Sequence, residues 1–169
     1  MQDIKLPSAL LLLLFGLTGT AMLHAGECEP DARQQAMLER VNEARSEDRQ
    51  CGDDAYKATQ SLAWSCRLEE AAEAHSQDMA KNEFFGHTDA EDVGVNERVN
   101  DTGYDWMAVG ENIAAGQADV AEVIEGWLSS PGHCANIMSD QFTEMGAAVV
   151  EAEDSEYSPF WTQVFARPR

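Results

Sequence analysis

Basic residues are scarce in this 169-residue chain: 11 lysines and arginines stand against 31 aspartates and glutamates, a formal net charge of −20. A surface of that sign repels nucleic acid and anionic membranes, and attracts cations or basic partners. Long apolar runs are also missing. The single candidate, Ala9 to Leu17, is too short to cross a bilayer as a helix, so no transmembrane segment is expected. No CxxC spacing argues for redox or zinc-knuckle work, and no HExxH zinc helix, GxSxG elbow or phosphate-cradling glycine loop is present. There is no internal repeat.

What is present begins with a leader. Lys5, the apolar run and the small or polar residues up to Ala25 read as a secretory signal peptide over 1–25, cleaved after Ala25. Glu27 directly before Cys28 is a poor match to a lipid-attachment site. The remainder is a lead-in over 26–36 and one domain over 37–167, expected to be a monomer that is secreted or periplasmic. Cys28, Cys51, Cys66 and Cys134 all follow the cleavage site, and an even count in an exported chain implies two disulfides. Their spacing leaves three connectivities open.

Asp31 with Gln34 opens a capped amphipathic helix that ends near Ser46, and residues 47–61 read as a loop. Leu68, Ala71, Ala72, His75 and Met79 form a second helical stripe. The stretch from Phe84 to Gly110 is expected to be loop around a short helix near Val95–Val99. Asp119 and Glu122 cap an apolar helix that Pro131-Gly132 stops. Phe142–Val150 and Phe160–Ala166 suggest an antiparallel hairpin, joined by the acidic linker Glu151–Pro159. Met145–Val150 is apolar on both faces, so helices should cover the sheet front and back, an α+β arrangement in three layers.

Three short words carry the candidate chemistry: Phe84-Phe85-Gly86-His87-Thr88, Gly110-Glu111-Asn112-Ile113-Ala114-Ala115-Gly116 and Ser130-Pro131-Gly132-His133-Cys134-Ala135-Asn136-Ile137-Met138. Each places one ionisable group beside glycine, and all three are expected on turns at element ends. Two imidazoles and a carboxylate suffice to hold zinc or another divalent cation with an open position, or to do acid–base work. Taken singly, each is better explained by a structural hydrogen bond. His75, sharing a stripe with Ala71 and Met79, reads as a packed histidine. Cys134 as a thiol nucleophile loses to a disulfide, and Ser130 as a hydroxyl nucleophile lacks an assigned orienting carboxylate. The acidic linker lacks the glycine and spacing of an EF-hand loop, so a solvated hairpin is expected there.

Together with Leu62-Ala63-Trp64, Trp127-Leu128-Ser129-Ser130-Pro131-Gly132-His133, Phe142-Thr143-Glu144-Met145-Gly146 and Trp161-Thr162-Gln163-Val164-Phe165, these words resemble the CAP superfamily of cysteine-rich secretory, antigen and pathogenesis-related proteins, most of all its bacterial branch. The resemblance covers Met37 to Ala166. It implies an α-β-α sandwich with a central antiparallel sheet and an open cleft. His87, Glu111 and His133 match three positions of a cleft tetrad, and Ser130 stands where a fourth carboxylate would be; Asn112 and Asn136 are placed in the cleft with it. Glu125, which precedes Trp127, is expected on a different part of the helix. The resemblance also implies the pairings Cys51–Cys134 and Cys28–Cys66. It points to a secreted, non-enzymatic binding module for a cation or small ligand and an unidentified extracytoplasmic partner. The alternatives are a metal-assisted peptide hydrolase with Glu111 as base, lipid or sterol binding, and a triad that serves only as scaffold, its polar side chains tying loops together.

Overall fold

The first helix, α1 (Ala32–Arg45), starts as its capping residues dictate: Asp31 accepts from the Gln34 N–H at 2.8 Å, and the Gln34 side chain accepts from the Asp31 N–H at 2.8 Å. A computed structural model describes residues 28–89, 91–152, 155 and 157–169, so the expected signal peptide over 1–25 lies outside the described residues. The span read as loop contains a small hairpin, β1 (Arg49–Cys51) and β2 (Asp54–Tyr56). It turns through Gly52, whose φ of +63° favours glycine, and a Cβ there would press on the ring of Pro131. A two-residue strand, β3 (Ala63–Trp64), leads into α2 (Cys66–Asn82), followed by α3 (Val95–Asp101) and β4 (Trp106–Ala115).

α4 (Val120–Ser129) begins at Asp119, whose carboxylate accepts from the Glu122 N–H at 2.9 Å. Pro131 does not simply stop the chain after it. Pro131 occupies the first turn of another helix, α5 (Pro131–Met138), where its missing N–H would have had no intrahelical partner anyway. β5 (Glu144–Val150) and β6 (Phe160–Pro168) form the expected antiparallel hairpin, with Gly146 opposite Val164.

The main sheet runs β3-β5-β6-β4, antiparallel except where β3 pairs with β5 in parallel. Alternation along β5 and β6 divides the core. Met145, Ala147, Trp161 and Phe165 pack with α1, α4 and α5, while Ala148, Val164 and Ala166 pack with α2 and α3. Each such large apolar side chain contributes roughly 1.5–3 kcal/mol by leaving water. Gly146 allows α2 to approach closely, since a Cβ there would overlap the backbone of Leu68 and Glu69. This is an α-β-α sandwich.

Two disulfides are present, Cys28–Cys66 and Cys51–Cys134, as the resemblance implied. The second brings the β1–β2 hairpin against α5. Arg45, fully buried, donates to the carbonyls of Gln60, Ile137, Ser139 and Phe142, and burial pushes its pKa down to about 10. No helix among the described residues is long and apolar enough to cross a membrane.

Candidate functional site

Glu111 sits in the middle of β4, opposite Val164 of β6, and not on the tight turn that its glycine and asparagine neighbours suggest. Strand register overrides turn-forming composition because the flanking positions pair continuously with β6. Its side chain is 2% exposed, and both carboxylate oxygens are engaged. His87 Nδ1 lies 2.8 Å from Oε1, and Arg98 Nη2 donates to Oε2 at 2.7 Å. Burial pushes the Glu111 pKa up, but the bonds from His87 and Arg98 and the charges of Arg98 and His75 outweigh it and hold the carboxyl below its ordinary value.

Arg98 also donates to the main-chain carbonyls of His87 at 3.1 Å and Val93 at 2.9 Å. One guanidinium therefore ties the site carboxylate to the loop that carries His87. Residue types alone do not single it out, since an arginine in a short polar helix reads as a solvated charge. His75 is packed behind the pair, 1% exposed, with Nε2 at 2.8 Å from the Gly86 carbonyl and 4.0 Å from Glu111 Oε1. Burial, more than the opposing Glu111 charge, keeps its pKa low.

His133 lies within the first turn of α5 rather than on a turn after a terminated helix. It lines a cleft of about 380 Å³ with Ser130, Trp127, Phe85, Ile113, Gln117 and Tyr157. Partial burial and the nearby His87 lower its pKa, so neutral His133 offers a lone pair at neutral pH. Asn112 and Asn136 serve as struts. The Asn136 amide donates to the Glu111 carbonyl at 3.0 Å and to the Asn112 side chain at 2.9 Å, and Asn112 donates to the His133 carbonyl at 3.2 Å. These bonds tie β4 to α5 and so hold Glu111 and His133 in register with each other.

Ser130 lines the cleft and makes no side-chain cap to α5. Glu125 faces a separate hollow with Arg40 and Arg49, away from the histidines. Among the described residues, one group of three cation-ligating side chains has its ligand atoms within 4.8 Å of one another: Cys28, Cys66 and Glu69. Its two sulfurs are joined as a disulfide, which removes the thiolates that a metal would need.

Comparison with known proteins agrees with this architecture. The profile of the family described as cysteine-rich secretory proteins matches residues 38–165. An uncharacterized protein of Bacillus subtilis (strain 168), YkwD, is 35% identical over 98 residues, 58% of this chain and 36% of its own length. The chain spans 25–36% of the length of the curated relatives it matches. Among solved structures, an extracellular SCP-domain protein from Bacillus anthracis superposes with a TM-score of 0.60 at 26% identity, covering 85% of this chain and 45% of that one. An outer surface protein of Borrelia burgdorferi shares the fold at 15% identity with a TM-score of 0.68, covering 84% of this chain and 97% of its own.

Proposed function

The chain belongs to the cysteine-rich secretory protein family, and we propose that it is a secreted, non-enzymatic binding module whose cleft holds a divalent cation through His87 and His133. The observation that carries this reading is the 2.8 Å contact between His87 Nδ1 and Glu111 Oε1. A carboxylate at Nδ1 fixes the imidazole tautomer and raises the basicity of the other ring nitrogen, the usual outer support of a metal-ligating histidine. Glu111 is then the orienting group rather than a direct ligand, because its oxygens are already bonded to His87 and Arg98.

The donor set fits zinc modestly. Two imidazoles with Ser130 in place of a further carboxylate leave open positions and no anionic ligand, so affinity is low and a bound ion keeps room for water or a ligand atom. A zinc ion held there supplies Lewis acidity toward an oxygen or nitrogen donor. The same geometry gives little support to a peptide hydrolase using Glu111 as base, since that carboxylate is buried, doubly bonded and held below its ordinary pKa. Two disulfides support an oxidising destination outside the cytoplasm.

Calorimetric titration of zinc into the protein tests the proposal. Binding heat is expected for the wild type and is lost in His87→Ala and in His133→Ala; Glu111→Gln weakens binding by roughly 10–100-fold. Unchanged heats in both histidine variants sink the site.

A further inference from the structure

The cleft has features that a cation does not use. Three large apolar side chains stand exposed among the described residues, Phe85 at 49%, Met107 at 63% and Tyr157 at 50%, and two of them, Phe85 and Tyr157, line this one cleft. Aromatic groups left in water around a concave apolar surface are the usual anchors of a binding site.

One wall of the cleft is the edge of the sheet. β4 ends the order β3-β5-β6-β4 and contributes Ile113, Ala114 and Ala115 to the lining. The carbonyls of Glu111 and Ile113 turn away from β6, where Asn136 and Trp127 bond them at 3.0 and 3.1 Å. Gly116 instead donates inward, to the Pro159 carbonyl at 2.9 Å. By that alternation Ala115 turns its N–H and C=O outward with Ile113 and Glu111. Among the described residues no side chain caps them as Asn136 and Trp127 cap the earlier carbonyls. Two residues further on, Gln117 lines the cleft with its side-chain oxygen buried and, among the described residues, without a hydrogen-bond partner. Buried acceptors are nearly always paired, so a donor is missing at this place.

We propose that the cleft takes an extended, positively charged peptide segment, which adds as a short strand to the β4 edge at Ala115. One peptide N–H reaches the Gln117 side-chain oxygen, and one apolar side chain enters the cleft lined by Phe85, Tyr157, Val123 and Trp127. Main-chain bonds to a free edge supply affinity, and a pocket for an alternate side chain supplies selectivity. Charge chooses the partner: a chain of net −20 attracts basic peptides and repels acidic ones. The inference rests on reading this cleft as a ligand site, and it does not require the cation.

Fluorescence anisotropy with labelled octapeptides, in chelator so that no metal contributes, tests it. Alternating Lys-Leu is expected to bind at least roughly tenfold more tightly than alternating Glu-Leu or Lys-Ser. The double variant Phe85→Ser with Tyr157→Ser, which changes only exposed side chains, loses roughly tenfold or more, and Gln117→Ala loses severalfold. Four results overturn the proposal: no binding of the Lys-Leu peptide, undiminished binding to the double variant, equal binding of Lys-Ser, or displacement of the peptide by neutral phosphatidylcholine vesicles. Zinc calorimetry on the same preparations separates the two readings. Intact zinc heats without peptide binding sink this inference alone, and the reverse result sinks only the cation site.

Discussion

Replacing Arg98 with methionine keeps an apolar stem and removes the guanidinium on which the site is hung. In the native chain that group donates to Glu111 Oε2 at 2.7 Å, the His87 carbonyl at 3.1 Å and the Val93 carbonyl at 2.9 Å. The Glu111 side chain is 2% exposed, so water does not replace the lost donor. Removing one partner of a buried ion pair costs about 3–5 kcal/mol, and the surviving His87 contact puts the expectation near the lower end, about 3 kcal/mol at neutral pH.

The pH dependence separates this cause from a simple packing defect. Glu111 is held below its ordinary pKa in part by Arg98, so in the variant it takes up a proton at higher pH. A depressed carboxylate contributes stability that is present above the unfolded value, near ~4.3, and is lost as pH falls through the folded value. The wild type therefore loses stability on acidification, while the variant sheds its buried charge early. The gap between the two proteins should narrow from neutral pH toward pH ~4. Urea denaturation of wild type, Arg98→Met, Glu111→Gln and the double variant gives both the gap and the coupling, expected to exceed about 1.5 kcal/mol. A cost under about 1 kcal/mol at neutral pH, or a gap that stays constant on acidification, would refute the electrostatic account.

Three further outcomes follow from the same structure. Cys51→Ser with Cys134→Ser opens a link between residues 83 apart and should lower stability by about 4 kcal/mol in non-reducing denaturation, whereas a loss below about 1 kcal/mol would mean that the hairpin is held by packing alone. Gly146→Ala drives a methyl group into the α2 backbone and should cost at least ~3 kcal/mol or abolish folding; a neutral effect on melting would contradict the close approach. Burial lowers the pKa of His75, as it does that of His133, with the His87 charge adding to the latter. Stability is then level above the unfolded imidazole value near ~6.5 and declines as pH falls through the lower folded values, by at most about 1.4 kcal/mol per pH unit for each proton taken up. His75→Gln should flatten that decline, and an identical profile in the variant would remove His75 from the account.

The helices and the hairpin were legible because their signals are local. Asp31 and Gln34 form their box from residues three apart, and Met145–Val150 of β5 announces burial on two faces by an apolar run with no polar phase. The β1–β2 hairpin was not, since Arg49-Gln50-Cys51 and Asp54-Ala55-Tyr56 carry no alternation; the hairpin meets the rest of the chain through the disulfide to α5 and the packing of Tyr56 on the core. Pro131 was ambiguous in principle, because the same residue that cannot continue one helix is well suited to begin the next.

Glu111 shows most clearly why the site is harder to read than the fold. Gly110-Glu111-Asn112 has the composition of a turn, yet the strand runs through it because every polar group placed in the interior meets a partner from a different element. The carboxylate meets His87 and Arg98, the Asn112 amide meets Gln163 and His133, and the outward carbonyl meets Asn136. These partners come from positions 13 to 51 residues away along the chain. A local pattern reports which side chains are able to do chemistry, but a buried polar strand is stable only as a set, so the strut residues become visible only after the sheet and α5 have been brought together. Conversion of Asn136 to leucine therefore exposes a dependence that Glu111 and His133 do not show singly. The side-chain amide of Asn136 serves both the Glu111 carbonyl and Asn112, so its loss should cost about 2–3 kcal/mol and disturb the His133 ring environment by NMR, without touching either ionisable group. Unshifted His133 resonances in that variant would show that the two halves of the cleft are positioned independently.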